Sequence, residues 1–266
     1  MSLQGRARKA MLHPKHVALA IVALLVIAAL FYASRNGRER PVEPPATTNT
    51  APGATPATPV APADPTPAGG SAEDRGAALL QEGNRLLLQA GQPELAVERY
   101  REAGRLLPED EDVHYNLGIA LARLGRIPEA IQEYETALKL FPEYAEVHNN
   151  LGNLLLRGGK TDEAIAHFQA AIKAVPDYAS AYNNLGNAQL LTGQVEDAAA
   201  NFLKAVGLNT NYWEARYNLA NIHLRQGRTN EAMAEYREVL RLSPGFKPAE
   251  DALAGKPLQL PGPPQR

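Results

Sequence analysis

A 34-residue period runs through the middle of this chain and constrains what it can fold into more than any other feature. Steps of 34 from Ala96 land on Ala130, Ala164, Ala198 and Ala232, and steps from Tyr100 land on Tyr134, Phe168, Phe202 and Tyr236. Gly91, Gly125, Gly159, Gly193 and Gly227 keep the same step, as do Pro108, Pro142, Pro176 and Pro244, with Thr210 in the fourth place. Five copies fill residues 77–246. Such self-similarity means one supersecondary unit repeated, each copy able to bury its apolar face only against its neighbours. The product is an extended surface rather than a closed pocket.

Residues 111–144 show the physics of one copy. Val113, Leu117, Ala120, Leu121 and Leu124 recur at three- and four-residue intervals and share one face of a first helix, A. Gly125 breaks that pattern where a left-handed residue past a helix end would carry no Cβ penalty. Pro128 suits the first turn of a second helix, B, whose inner face holds Ala130, Ile131, Tyr134, Ala137 and Leu138 before Pro142 stops it. The small Ala130 lets helices A and B approach closely, and the aromatic one turn later is expected to fill the gap to the next copy.

The pattern YNLG..L...G....A...Y..A....P over residues 115–142, with NNLG at 149–152 and again at 183–186, resembles the consensus of the tetratricopeptide repeat family. The resemblance implies an all-α fold, a right-handed α-solenoid of antiparallel helix pairs whose concave groove binds peptides or partner proteins. The repeats are 77–110, 111–144, 145–178, 179–212 and 213–246, within a domain spanning 71–246. Departures are local: Gly83-Asn84 stand where other copies carry Leu and Gly or Ala, Thr210 replaces proline, Ala220 replaces glycine and Val239 replaces alanine. The clamp for chaperone tails found in some relatives is not implied, because Leu80 stands where that clamp wants lysine.

The flanks are too short for a second ordinary domain. Residues 1–16 form a basic N-terminus, and 17–32 read VALAIVALLVIAALFY, without a charge. A helix over residues 17–34 would be about 27 Å long, close to the roughly 30 Å hydrocarbon core, which predicts one transmembrane helix acting as a signal-anchor. A cleaved signal peptide is the competing reading, but bulky Leu30, Phe31 and Tyr32 spoil its cleavage site. Arg6, Arg8, Lys9 and Lys15 precede the apolar run, against Arg35, Arg38 and Arg40 after it, so the positive-inside bias favours a cytoplasmic N-terminus. Residues 41–70 hold nine prolines among Ala and Thr, a composition that cannot bury a core and makes residues 35–70 a disordered linker. The expected location is a bacterial inner membrane, with the repeats on its extracytoplasmic, periplasmic side. Residues 247–266 are expected to give a partial cap and a disordered tail.

Charge and chemistry narrow the function classes. Residues 1–40 carry seven Lys/Arg against one acidic residue, whereas 71–246 carry 17 against 24 Asp/Glu. An acidic array argues against non-specific nucleic-acid binding, which needs a basic footprint. With no cysteine there are no disulfides, no thiolate nucleophile and no lipid-modified N-terminal cysteine. Gly158-Gly159-Lys160-Thr161 resembles the end of a phosphate-binding loop, but Leu154 stands where that loop needs glycine, so the segment reads as the A-to-B turn of repeat three. His114 and His148 are equivalent positions in consecutive repeats and read as residues packed between helices; no third metal ligand stands at suitable spacing, and His167 and His223 stand alone. No catalytic residue, cofactor, metal or small-molecule substrate is implied.

Polar residues in phase on helix A stand out instead. Asn116, Asn150, Asn184 and Asn218 form one row, Asn153, Asn187 and Asn221 a second, and Arg123, Arg157 and Arg225 a third. Asparagine is a mediocre helix former, so its recurrence calls for a reason. An amide has both donor and acceptor and can pair with the backbone of an extended peptide without reading its sequence; the arginines can engage carboxylates. The resemblance places helix A along the groove, where asparagine ladders hold peptide backbones. The other reading is that these asparagines stabilise contacts between copies. The sequence thus points to a membrane-tethered, non-catalytic scaffold that binds a protein or peptide, with a chaperone or assembly factor handling exported clients as the alternative.

Overall fold

A computed structural model of the chain describes residues 70–256; the anchor and most of the linker expected from the sequence lie outside them. The helices in chain order are α1 (Ala72–Leu88), α2 (Pro93–Leu106), α3 (Glu111–Arg123), α4 (Ile127–Leu140), α5 (Ala145–Arg157), α6 (Thr161–Ala174), α7 (Ala179–Leu191), α8 (Val195–Leu208), α9 (Trp213–Arg225), α10 (Thr229–Leu242) and α11 (Lys247–Leu253). Among the described residues there is no strand, and no helix is long and apolar enough to cross a membrane. The helices pack as consecutive pairs, α1/α2 through α9/α10, and α11 packs on α10. Each B helix also packs on the A helix that follows it. Successive A helices touch, as α1 does α3 and α5 does α7, while no two B helices approach as closely. The α-solenoid therefore curves around its A helices, which form the inner row.

Within a repeat, the A/B crossing is a glycine against a ring. A Cβ built on Gly118 would lie 2.5 Å from Tyr134 Cε1, one on Gly152 would lie 2.6 Å from Phe168 Cε1, and one on Gly186 would lie 2.8 Å from Phe202 Cε1. The aromatic of helix B thus beds on the A helix of its own repeat. The alanine one turn before it is fully buried in all five repeats. The A-to-B turns close on glycines with φ between 61° and 80°, at Gly91, Gly125, Gly159, Gly193 and Gly227; this left-handed region suits a residue without Cβ.

Repeat one obeys the same packing by slipping one residue. Gly83, not Asn84, meets the ring, its Cβ position lying 2.5 Å from Tyr100 Cε1. Gly83 and Tyr100 are therefore 17 residues apart, where Gly118 and Tyr134 are 16 apart. The extra residue lies at the end of α1, where Gln92 N–H bonds Leu86 O, six residues back; the corresponding bond in repeat two, Arg126 N–H to Leu121 O, spans five. At its other end α1 starts at Ala72 with a capping box in which Ser71 and Asp74 bond each other's backbone and side chain.

Later A helices give up such caps for packing. Their N-cap residues are Tyr144, Tyr178 and Tyr212, with Phe246 before α11, and none supplies a side-chain cap. The rings go between repeats: Tyr144 lies 5.0 Å from Tyr115, centre to centre, and its hydroxyl donates to an Asp112 carboxylate oxygen at 2.6 Å. Burial together with that carboxylate pushes the Tyr144 hydroxyl far above the ordinary tyrosine range. At the C-terminal end α11 buries Ala249 and Ala252 against the cluster of Tyr236 and Val239, and turns Lys247, Glu250 and Asp251 outward as ion pairs. A polar-faced terminal helix is what an open-ended stack needs.

Candidate interaction surface

The A helices carry the candidate residues along the inner row, and the structure gives each of them a place. Asn116 bends back to its own helix, donating to Asp112 O at 2.7 Å. The other members of the first row reach the preceding repeat. Asn150 Nδ2 lies 3.4 Å from Tyr115 Oη, Asn184 Nδ2 donates to Asn149 Oδ1 at 2.9 Å, and Asn218 Nδ2 donates to Asn187 Oδ1 at 2.9 Å. Asn183 Oδ1 also lies 3.4 Å from Asn218 Nδ2. Asn149 and Asn183, one residue before the first row, are buried and belong to the same network. All members of the first row are half-buried, so each keeps an edge at the surface. An amide holds two N–H donors and an acceptor oxygen, and one bond to a neighbouring repeat leaves capacity for another.

The second row divides by repeat. Asn221 Oδ1 accepts from Tyr236 Oη at 2.6 Å, and Asn84, brought into this row by the slip in α1, accepts from Tyr100 Oη at 2.8 Å. Repeats three and four carry Phe168 and Phe202, which have no hydroxyl, opposite Asn153 and Asn187. Asn187 accepts from Asn218, and the Asn153 side chain bonds no described residue. In the arginine row, Arg123 Nη1 donates to Leu87 O at 3.0 Å across adjacent A helices, Arg157 is exposed, and Arg225 is exposed at the last turn of α9. Exposed Leu191 takes the equivalent place in α7.

A further pattern, of which the sequence showed only the equivalence of His114 and His148, ties each repeat to the loop before it. His114, His148, Tyr182 and Arg216 occupy one position on helix A, and each points to the carbonyl six residues earlier. Those carbonyls are Pro108 at 3.4 Å, Pro142 at 3.0 Å, Pro176 at 3.3 Å and Thr210 at 3.2 Å. Three of them also meet the helix B residue nineteen positions on: His114 with Glu133 at 2.7 Å, His148 with His167 at 2.9 Å, and Arg216 with Glu235 at 2.9 Å. In repeat four Asn201 instead donates to Gln189, at 2.7 Å. His167, which stood alone in the sequence, is therefore brought against His148 by the A/B pairing.

The histidine pair is a hydrogen bond by its geometry. Nδ1 meets Nδ1 while the ring centres stay 5.1 Å apart, so the rings lie nearly end to end. With a neutral His148, the Pro142 carbonyl, which can only accept, sets the proton on Nε2 and leaves Nδ1 to accept from His167 Nδ1–H. Among the described residues no group of three or more metal-type side chains gathers. Burial, then the neighbouring His148, hold His167 below the ordinary histidine pKa, although Glu163 and Glu135 pull the other way. Glu133 holds His114 above it. A histidine whose folded pKa is lowered contributes stability that is present above its unfolded pKa of about 6.5 and lost as pH falls; one whose pKa is raised does the reverse. Acidification from pH 7.5 to 5 should thus loosen α5/α6 while α3/α4 holds, read as hydrogen-exchange protection repeat by repeat. Equal loss in both pairs, or an unchanged response in His167→Phe, would contradict this.

Comparison with known proteins agrees with this architecture. Family models described as tetratricopeptide repeat match residues 110–177 and, in two overlapping placements, 149–212 and 184–245; one described as TPR repeat matches 85–125. Among curated proteins none matches the chain. Solved structures do: MamA, residues 41 to the end, from Desulfovibrio magneticus RS-1 is 27% identical with a TM-score of 0.58, over 65% of this chain and 97% of that one. Pseudomonas aeruginosa pilF is 24% identical with a TM-score of 0.60, over 69% of this chain and 89% of that one. YrrB, described as a TPR protein with an unusual peptide-binding site, is 19% identical with a TM-score of 0.54, over 65% of this chain and 89% of that one. At these identities pilF and YrrB speak to the fold alone.

Proposed function

Since residues 85–245 belong to the tetratricopeptide repeat family, we propose that the chain is a membrane-tethered, non-catalytic scaffold that holds a partner protein or peptide along the inner row of its A helices. The observation that carries this reading is the set of half-buried amides in phase on successive A helices, each with an edge at the surface. Such a ladder suits an extended backbone, whose donors and acceptors also repeat. The tether is the apolar segment 17–34, with the Pro-rich stretch as spacer and the repeats outside a bacterial inner membrane. The alternative, a factor that handles many exported clients, differs in stoichiometry.

Two measurements test the proposal. Crosslinking followed by pull-down from detergent-solubilised membranes should return one partner in stoichiometric amount; many substoichiometric proteins would favour the client-handling reading. Protease added to intact spheroplasts should degrade the repeats of a protein that resists carbonate extraction and keeps its first residues. Repeats protected until the membrane is opened would overturn the orientation, and a soluble protein beginning near Ser34 would overturn the tether.

A further inference from the structure

The repeats serve as one another's controls at the C-terminal edge of the inner row. Arg123, Arg157 and Arg225 stand in or beside the last turn of their A helices, where a cation suits the negative end of the helix dipole. Stability alone accounts for arginine there. It does not account for Leu191, which takes the same place in α7 with 44% of its surface exposed and the half-buried Leu190 beside it. An aliphatic side chain gives the dipole nothing and loses by meeting water. The row position is known from Arg123, which reaches the neighbouring inner helix at Leu87 O.

One repeat earlier, the same edge offers a cation and an amide. Arg157 is exposed and makes no ion pair with a described residue. One helical turn before it, the Asn153 side chain bonds no described residue, while its counterparts Asn84 and Asn221 are tied to the tyrosine hydroxyls of their own repeats. Phe168 and Phe202 thus leave this row without a tyrosine partner in the two repeats whose A helices carry Arg157 and the exposed Leu191. An apolar spot, a cation and an unbonded amide lie on adjacent inner helices, α5 and α7.

Building on the groove reading, we infer that this central edge receives an extended segment of a partner protein bearing an aliphatic side chain beside a carboxylate. Leu191 with Leu190 takes the aliphatic group, Arg157 the carboxylate, and Asn153 the main chain between them. Charge complementarity decides the partner's sign. The array as a whole is acidic, so an acidic side chain is accepted at the exposed Arg157 and is repelled elsewhere.

A phage-displayed library of random dodecapeptides, selected on the full chain in detergent, tests the assignment. Selected sequences should be enriched in Asp or Glu near Leu, Ile or Val. Their affinity should fall about tenfold or more in Leu191→Arg and in Arg157→Glu, the second loss shrinking as salt rises. Asn153→Ala should weaken binding with no change in melting temperature. Both edge positions are exposed, so circular dichroism will show whether those variants keep their fold. Peptides that are basic, or that bind both edge variants as well as the parent, overturn the assignment, as does a selection with no enrichment. If such peptides still lose affinity when Asn150 and Asn184 are replaced, the groove reading survives; if they do not, it falls as well.

Discussion

Replacing Phe168 with Ala should cost about 3–5 kcal/mol, the range for removing a large buried ring, with the damage centred on repeat three. The ring is fully buried and its edge rests where a Cβ on Gly152 would be, so no neighbour can collapse into the space without moving α5 and α6 together. Because each repeat packs chiefly on its neighbours, hydrogen exchange should quicken in α5–α8 before it does in α1 or α10. Gly152→Ala provides the complementary test. In the parent it forces Phe168 to shift; in the Phe168→Ala background the clash is gone, and the gain in helix propensity of about 1 kcal/mol remains. A coupling of about 1 kcal/mol or more between the two changes is expected from groups in contact. Repeat five shows that the pair can be re-proportioned: Ala220 takes the glycine's place opposite Tyr236, with both fully buried. Additive effects of the two substitutions, or uniform loosening from end to end, would contradict this packing.

The period made most of the fold legible because it reports chemistry that recurs at fixed length: a glycine at the turn, an alanine and a ring at the crossing, a proline at the stop. It failed where length changes. Stepping by 34 paired Asn84 with Gly118, whereas the extra residue at the end of α1 pairs Gly83 with Gly118 and moves Asn84 into the second amide row beside Tyr100. It also failed where partners are not in phase. The stagger of neighbouring A helices joins Asn184 to Asn149 and Asn150 to Tyr115 at an offset of 35. Helix pairing joins His148 to His167 at an offset of 19. In-phase rows show that an amide recurs, but only the packed helices show which neighbour it touches.

The asparagine ladder can therefore be divided between holding the array and holding a ligand. Asn184 donates to Asn149, whose side chain is buried, so Asn184→Ala leaves a buried oxygen without that donor and should lower stability by roughly 1 kcal/mol after the propensity gain of alanine is counted. Asn150 is only 3.4 Å from the Tyr115 hydroxyl, a long contact, and Asn150→Ala should leave the melting temperature nearly unchanged. Binding should respond to both, because the surface edge of each amide faces the same inner row. At about 1 kcal/mol per amide, the double variant should bind the crosslinked partner, or a selected peptide, about thirtyfold more weakly. The measurement is a titration of each single variant and of the double variant beside a thermal melt. A melting temperature lowered by Asn184→Ala with affinity untouched in all three would assign the ladder wholly to contacts between repeats and move the binding surface elsewhere. Affinity lost in Asn150→Ala, with the fold intact, would separate the two roles at a single residue.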